Sequence, residues 1–191
     1  YSMTKGITSA AAMMLVDEGQ LDLDDPVSKH LPELKNLTVW KKNGEPVPAD
    51  PAPTIRDLLR HTAGFSYGWG GTPVDKLYQN VNPLNRNKTL AEMTEAVADL
   101  PLLYQAGEQW VYGINTDVLG RVVEAASGKT FSDFLKERFF IPLGMPDTDF
   151  HVPAVKAERL ADVYAGKAGI LVTAEPGKGS PYLKPPAHQS G

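Results

Sequence analysis

Apolar side chains recur at helical spacing near the start of the chain. Between residues 3 and 18 they follow the i, i+3, i+4, i+7 and i+8 positions of an amphipathic helix, at Ile7, Ala10, Ala11, Met14 and Leu15. Gly19 follows directly, and a glycine at that place is typical of a helix end. The pattern therefore predicts a first helix over residues 3–18 with its apolar stripe against the core.

Further helices are indicated by the residues that would cap them. A threonine followed three residues later by a carboxylate satisfies the free backbone N–H groups of a first turn. Such pairs occur at Thr54 with Asp57, Thr89 with Glu92 and Thr130 with Asp133. A fifth helix is predicted from Asn115 or Thr116 to Ala126, ending before Gly128 and burying four apolar residues, which are Val118, Leu119, Val122 and Val123.

The remaining segments are predicted as turns and loops. Residues 21–34 indicate a polar turn with a short helical piece, and residues 38–53 carry four prolines and an Asn-Gly turn, which permit only a short hairpin. Gly64 to Pro73 and Ala165 to Pro186 are rich in glycine or proline and are predicted as loops. The sequence therefore predicts a mostly helical structure with few strands and no internal repeat.

Composition narrows the class of protein. The chain has 191 residues, of which 42% are hydrophobic and 22% charged, as in an ordinary soluble domain with at most a small appendage. The net charge is -4 and no basic block is present, so nucleic acid is not an expected partner. No apolar stretch approaches the roughly 20 residues of a membrane helix. The chain contains no cysteine, which excludes disulfides, thiolate metal sites and cysteine nucleophiles but leaves cytoplasm and periplasm equally open.

A possible nucleophile lies at the start of the first predicted helix. Ser2 and Lys5 are three residues apart, so at helical spacing both side chains lie on one face. A lysine can take the serine proton if burial and the helix N-terminus lower its pKa from about 10.4. The Ser2 backbone N–H would then also point toward a developing oxyanion. A Ser-x-x-Lys sequence is nevertheless expected about once by chance in a chain of this length.

Two other residues are candidates for the chemistry. Ser66 lies in a Gly-x-Ser-x-Gly sequence, but the helix predicted before it and the loop predicted after it are the wrong setting for a nucleophile elbow, so we interpret Ser66 as a loop residue. The histidines that follow it, His151 and His188, have no distinctive surroundings. Tyr112 directly precedes the fifth helix and could serve as a general base beside a lysine, or could simply be a packed aromatic.

Five stretches together carry a family resemblance. They are Ser2 to Lys5, Leu58 to Gly64, Gly107 to Tyr112, Asp117 to Gly120, and Pro142 to Met145 with Thr148. In this order they resemble the serine β-lactamase-like superfamily, most closely the family VIII carboxylesterases related to class C β-lactamases. The resemblance implies an α+β β-lactamase/transpeptidase-like fold, of bacterial type, in which Ser2 is the nucleophile, Lys5 activates it and Tyr112 is a second base.

The chain departs from that family pattern in two ways. The asparagine that holds a lactam or peptide amide stands two residues after the tyrosine in β-lactamases, whereas Ile114 occupies that place here and Asn115 is expected to cap the next helix. The strands that precede the Ser-x-x-Lys helix and the C-terminal sheet block with its Lys-Thr-Gly or Trp-Gly-Gly motif are also missing. We therefore expect residues 1–191 to be the helical portion of a larger hydrolase that needs the rest of its sheet.

The expected activity is hydrolysis of small-molecule carboxylic esters with short or medium acyl chains. A β-lactamase or D-amino-acid peptidase of the same superfamily is the alternative, and a non-catalytic helical binding module is a second one. Aromatic residues near the motifs, Tyr67, Trp69 and Trp110, could wall a substrate pocket together with Ile114, or could belong to the core. No cofactor is expected, because the histidines lack the spacing of a metal site and no phosphate-loop motif occurs.

Overall fold

The computed structural model describes residues 2–187. Within them, helices account for most of the regular secondary structure, as the sequence predicts. The α-helices are α1 (Thr4–Asp17), α2 (Ile55–Arg60), α3 (Pro73–Val81), α4 (Leu90–Val97), α5 (Asn115–Ser127) and α6 (Phe131–Leu135), and α6 continues into a π-helical turn at Lys136–Phe140. Short 3-10 turns lie at Val27–Lys29, Pro32–Leu34, Ala154–Arg159 and Pro181–Leu183.

The core is organised around α5, which packs against α1, α2, α4 and α6. Its four predicted core residues, Val118, Leu119, Val122 and Val123, are fully buried. Helix α1 ends as expected, because the Gly19 N–H donates to the Val16 carbonyl and the Gln20 N–H donates to the Leu15 carbonyl, the two bonds of a Schellman cap.

The apolar stripe predicted for α1 is wrong in part. Its buried residues are Thr8, Ala11, Ala12 and Leu15, whereas Ala10 is exposed and Met14 only half-buried. Two adjacent small residues, Ala11 and Ala12, allow α1 to lie close to α5, so the contact face is rotated from the one that hydrophobicity alone selects.

The predicted capping residues do begin helices. Thr54 with Asp57 and Thr89 with Glu92 form reciprocal capping boxes, and the Thr130 side chain accepts a bond from the Asp133 N–H. A fourth box, which the sequence analysis did not use, joins Thr72 to Asp75 and begins α3, with Pro73 in the first turn. The prediction of Asn115 as a cap is wrong, since Asn115 lies inside the first turn of α5 with its side chain buried.

Two small antiparallel hairpins complete the structure. Strands β1 (Thr38–Val39) and β2 (Val47–Pro48) form the short hairpin that the sequence allows. Strands β3 (Val163–Lys167) and β4 (Ile170–Glu175) occupy a segment predicted as a loop, so that prediction is wrong there. Ala168 and Gly169 have φ of 49° and 81°, which suits a two-residue turn whose twist matches the strands. No helix among residues 2–187 has the length and apolar character required to cross a membrane.

Candidate active site

The start of α1 carries the predicted nucleophile. The Lys5 backbone N–H donates to the Ser2 carbonyl at 3.3 Å, so the helical turn extends back to Ser2. Both side chains line one cavity of about 620 Å³. The sequence spacing of three residues is therefore realised as one shared face, with the exposed Ser2 hydroxyl at its edge.

Tyr112 meets this face from the other side of the molecule. Its hydroxyl lies 2.6 Å from the Ser2 Oγ, a short hydrogen bond in which either oxygen can be the donor. The two residues are 110 positions apart, and the contact joins the start of α1 to the loop that leads into α5. A proton can therefore pass directly between the serine and the phenol.

Lys5 places a cation beside two tyrosine rings. Its Nζ lies 5.3 Å from the ring centre of Tyr112 and 5.4 Å from that of Tyr67, both within cation–π range. The structure thus brings together Ser2, Lys5 and Tyr112, the three residues that the sequence predicts as catalytic. All three residues line the same cavity.

Tyr67 lies beneath this group and is almost fully buried. Its hydroxyl donates to the Asp117 carboxylate at 3.0 Å. Burial, together with the Asp117 charge and hydrogen bond, raises the pKa of Tyr67 well above its ordinary value. The phenol therefore stays protonated and anchored, and Tyr67 offers the cavity the face of its ring while its hydroxyl points to Asp117.

His61 supports Tyr112 from behind. It ends α2 in the left-handed conformation, with φ of 57°. Its ring nitrogens lie 3.2 Å from the Asn115 amide nitrogen and 3.4 Å from the Thr116 hydroxyl, and its ring centre is 5.2 Å from that of Tyr112. Burial and the nearby Lys5 cation lower the pKa of His61, so its neutral form is favoured. The sequence analysis gave His61 no role, although it lies within one of the motif stretches.

The cavity wall is largely aromatic. Trp69 is 70% exposed and stacks on Tyr67 with ring centres 4.5 Å apart, at the edge of the cavity. Tyr67 and Trp69 both line the cavity. Two other predicted substrate contacts do not: Trp110 stacks on Tyr112 outside the lining, and Ile114 is fully buried in the core. Ile114 is the residue directly before α5, and its side chain lies in the protein interior there.

Ser66, the rival serine, is held in a structural role. It is buried in a loop, donates to the Asp75 carboxylate at 2.5 Å and accepts from the Gly68 N–H at 2.7 Å. Burial of Asp75 opposes its charge, but hydrogen bonds from Ser66, Thr72 and the backbone outweigh burial and hold the pKa of Asp75 below its ordinary value. The element directly before Ser66 is helix α2 and not a strand, and no histidine among the described residues hydrogen-bonds to Ser66, in agreement with its interpretation as a loop residue.

The two histidines that follow Ser66 in the sequence add nothing to this centre. His151 lines the cavity and lies 3.8 Å from its neighbour Asp149, and His188 lies outside the described residues. Within residues 2–187 no group of three or more histidine and acidic side chains is arranged to hold a metal ion.

Known proteins are similar in sequence to most of this chain. The Beta-lactamase family model matches residues 1–188. Lovastatin esterase of Penicillium rubens is 36% identical over 187 residues, covering 93% of this chain and 46% of the esterase. Esterase EstB of Burkholderia gladioli is 35% identical over 167 residues, covering 85% of this chain and 40% of EstB. The chain thus spans less than half the length of these relatives.

A solved structure shows the same fold. EstCE1, described as a hydrolase with promiscuous acyltransferase activity, superposes with a TM-score of 0.73 at 26% identity, covering 91% of this chain and 44% of EstCE1. Sequence match, relatives and superposition agree with the resemblance that the motifs carry. The chain therefore belongs to the beta-lactamase family and has its β-lactamase/transpeptidase-like fold.

Proposed function

We propose that the protein carrying this chain is a serine hydrolase that cleaves carboxylic esters of short or medium acyl chain length through an acyl-enzyme on Ser2. The observation that supports this most strongly is the 2.6 Å contact between the Ser2 Oγ and the Tyr112 hydroxyl, with Lys5 beside the Tyr112 ring. A serine hydroxyl is a poor nucleophile until a neighbouring group accepts its proton. This contact offers such a group at hydrogen-bonding distance.

The proposed reaction has two halves. The Ser2 Oγ bonds to the ester carbonyl carbon while its proton passes to the Tyr112 and Lys5 pair, which enters the reaction one proton short of a phenol beside an ammonium. The tetrahedral oxyanion collapses, the carbon–oxygen bond to the alcohol breaks, and the leaving alkoxide takes up that proton. Water then gives a proton to the same pair and attacks the acyl carbon, which releases the acid and restores the Ser2 hydroxyl. The Ser2 backbone N–H would stabilise the oxyanion in both halves.

Ester substrates are favoured over lactams for two reasons. The side chain at position 114, where an amide would hold a lactam or peptide, is a buried isoleucine that offers the cavity no polar group. Two relatives that cover most of the chain are named as esterases, lovastatin esterase and EstB. The aromatic wall formed by Tyr67 and Trp69 suits an apolar acyl or alcohol group.

The proposal is tested by steady-state kinetics on p-nitrophenyl butyrate with the protein that carries this chain. Ser2→Ala should lower kcat by at least about a thousandfold, because the covalent route is lost. Ser9→Ala, a partly exposed serine on the same helix, is the matched control and should behave as wild type. Normal ester turnover by Ser2→Ala would overturn the assignment. Hydrolysis of the β-lactam nitrocefin in preference to the ester would instead support the lactam alternative.

A further inference from the structure

The charged side chains that line the cavity beside Ser2 are mostly basic, although the chain as a whole carries a net negative charge. The chain carries a net charge of -4, yet the cavity lining holds two basic side chains, Lys5 and Arg86, and one carboxylate, Asp149. Asp149 accepts from the neighbouring Phe150 N–H at 2.6 Å, so one of its oxygens is already engaged. A cleft with an excess of basic side chains in a protein of net negative charge concentrates anionic ligands.

Arg86 is the cation that the proposed hydrolysis leaves unused. Its guanidinium lies 4.5 Å from the ring centre of Tyr182, and its only other polar contact among the described residues is a long one to the Pro181 carbonyl, at 3.4 Å. No carboxylate in the described part of the chain forms an ion pair with it, in contrast to Arg56 and Arg138. The ring fixes the plane of the guanidinium and leaves its donors available to the cavity.

We infer that the natural ester carries a carboxylate, which Arg86 binds while the reacting carbonyl lies at Ser2. This inference rests on the proposed function and adds the substrate class. A planar guanidinium with unpaired donors matches the two oxygens of a carboxylate. Aromatic rings, those of Trp69, Phe150 and Tyr182, line the space that the cation shares with the nucleophile. The expected substrate is thus an ester with an apolar middle and an anionic end.

The test compares anionic and neutral esters. The p-nitrophenyl hemiesters of succinate, glutarate and adipate carry the carboxylate on the acyl side, and butyrate esters of hydroxy acids carry it on the alcohol side. For the preferred anionic ester, Arg86→Gln should lower kcat/KM about tenfold while the p-nitrophenyl butyrate rate stays unchanged. Arg86→Lys should lose less, since the charge remains. Arg60→Gln, at an exposed arginine outside the cavity, is the matched control.

Salt and binding measurements separate this inference from the proposed function. The anionic preference of the wild type should shrink at high ionic strength. If Arg86→Gln lowers the rates on charged and neutral esters equally, the role of Arg86 is overturned. The same holds if the wild type cleaves both kinds of ester at equal rates and Arg86→Gln changes neither rate. If no ester is cleaved at all, the proposed function fails, and calorimetry still decides the inference: glutaranilic acid should bind more tightly than neutral butyranilide, and only in the presence of Arg86.

Discussion

At the scale of single residues, Tyr112 is the side chain on which the candidate site depends most. Its hydroxyl reaches the Ser2 Oγ, and the rings nearest to its own are those of His61 at 5.2 Å, Tyr67 at 5.4 Å and Trp110 at 6.0 Å between centres. Such packing restricts the ring to one orientation. Trp110, expected at the substrate, instead contacts Tyr112.

Replacing Tyr112 by phenylalanine keeps the ring and removes only the hydroxyl. Proton transfer by a positioned side chain typically contributes 10²- to 10⁴-fold, so kcat on p-nitrophenyl butyrate should fall by about that factor. The melting temperature should change little because the aromatic packing is retained. Tyr104→Phe, at a partly buried tyrosine outside the cavity, is the control. A Tyr112→Phe variant with wild-type kcat would remove Tyr112 from the proton path.

The lowered pKa of His61 implies that the stability of the folded protein depends on pH. Burial, with the Lys5 charge as a second cause, lowers the pKa of His61 in the folded protein, so near pH 6 the unfolded chain binds more protons than the folded chain. Stability should therefore be fully present above the unfolded value of about 6.5 and should decrease as the pH falls through it. Carboxyl groups with lowered pKa, such as Asp75, titrate in more acidic solution.

Thermal unfolding at pH 7.5 and pH 5.5 measures this effect. His61→Asn should lose less stability between the two pH values than the wild type, since asparagine tolerates the positive φ and does not titrate. His151→Asn, at a partly exposed histidine, should retain the wild-type difference. Equal pH dependence in wild type and His61→Asn would contradict the account.

At the scale of elements, the site depends on two loops that lie in close contact. A Cβ on Gly113, next to Tyr112, would lie 2.0 Å from the Phe65 carbonyl oxygen, so only glycine allows the loop before α5 to approach the loop after α2. The second loop is held in turn by the hydrogen bond from Ser66 to Asp75, which also belongs to the capping box of α3. The backbone of both loops thus sets where Tyr112 lies.

Gly113→Ala should therefore impair both stability and activity. Overpacking of this kind typically costs about 1–3 kcal/mol, and the forced separation of the loops should move Tyr112 from Ser2 and lower kcat. Denaturant unfolding and ester kinetics measure the two effects. Gly6→Ala is the control, since a Cβ there meets nothing within 4 Å, and it should stabilise α1 by up to about 1 kcal/mol. A Gly113→Ala variant as stable and active as wild type would contradict the close packing of the loops.

Sequence signals for the elements succeeded where they are local. The capping threonines Thr54 and Thr89 begin helices because the hydroxyl and carboxylate act within one turn. Helix α3 carries the same signal at Thr72, but the tryptophan and glycines before it are typical of a loop and obscured it. The β3–β4 hairpin was missed because its glycines at positions 166 and 169 lower the strand propensity of the segment. Its formation also depends on the register between the two strands, which residue propensities do not show.

At the scale of the whole molecule, the fold joins positions that are far apart in sequence. The pairing of Ser2 with Tyr112 could be predicted, because each residue belongs to a motif and the motifs follow a recognisable order along the chain. Arg86 could not be, since no local pattern shows that it lines the same cavity as Ser2. Ile114 illustrates the reverse error: its sequence position next to the motif suggested a substrate contact, but the turn into α5 buries it.

Covalent labelling tests the central claim, that Ser2 is the nucleophile, most directly. The protein that carries this chain should form a one-to-one adduct with a fluorophosphonate, and peptide mass mapping should place the adduct on Ser2. Ser2→Ala should form none, and Ser66, buried against Asp75, should stay unmodified in both proteins. An adduct on any other serine, or no adduct in a protein that still cleaves esters, would contradict the account.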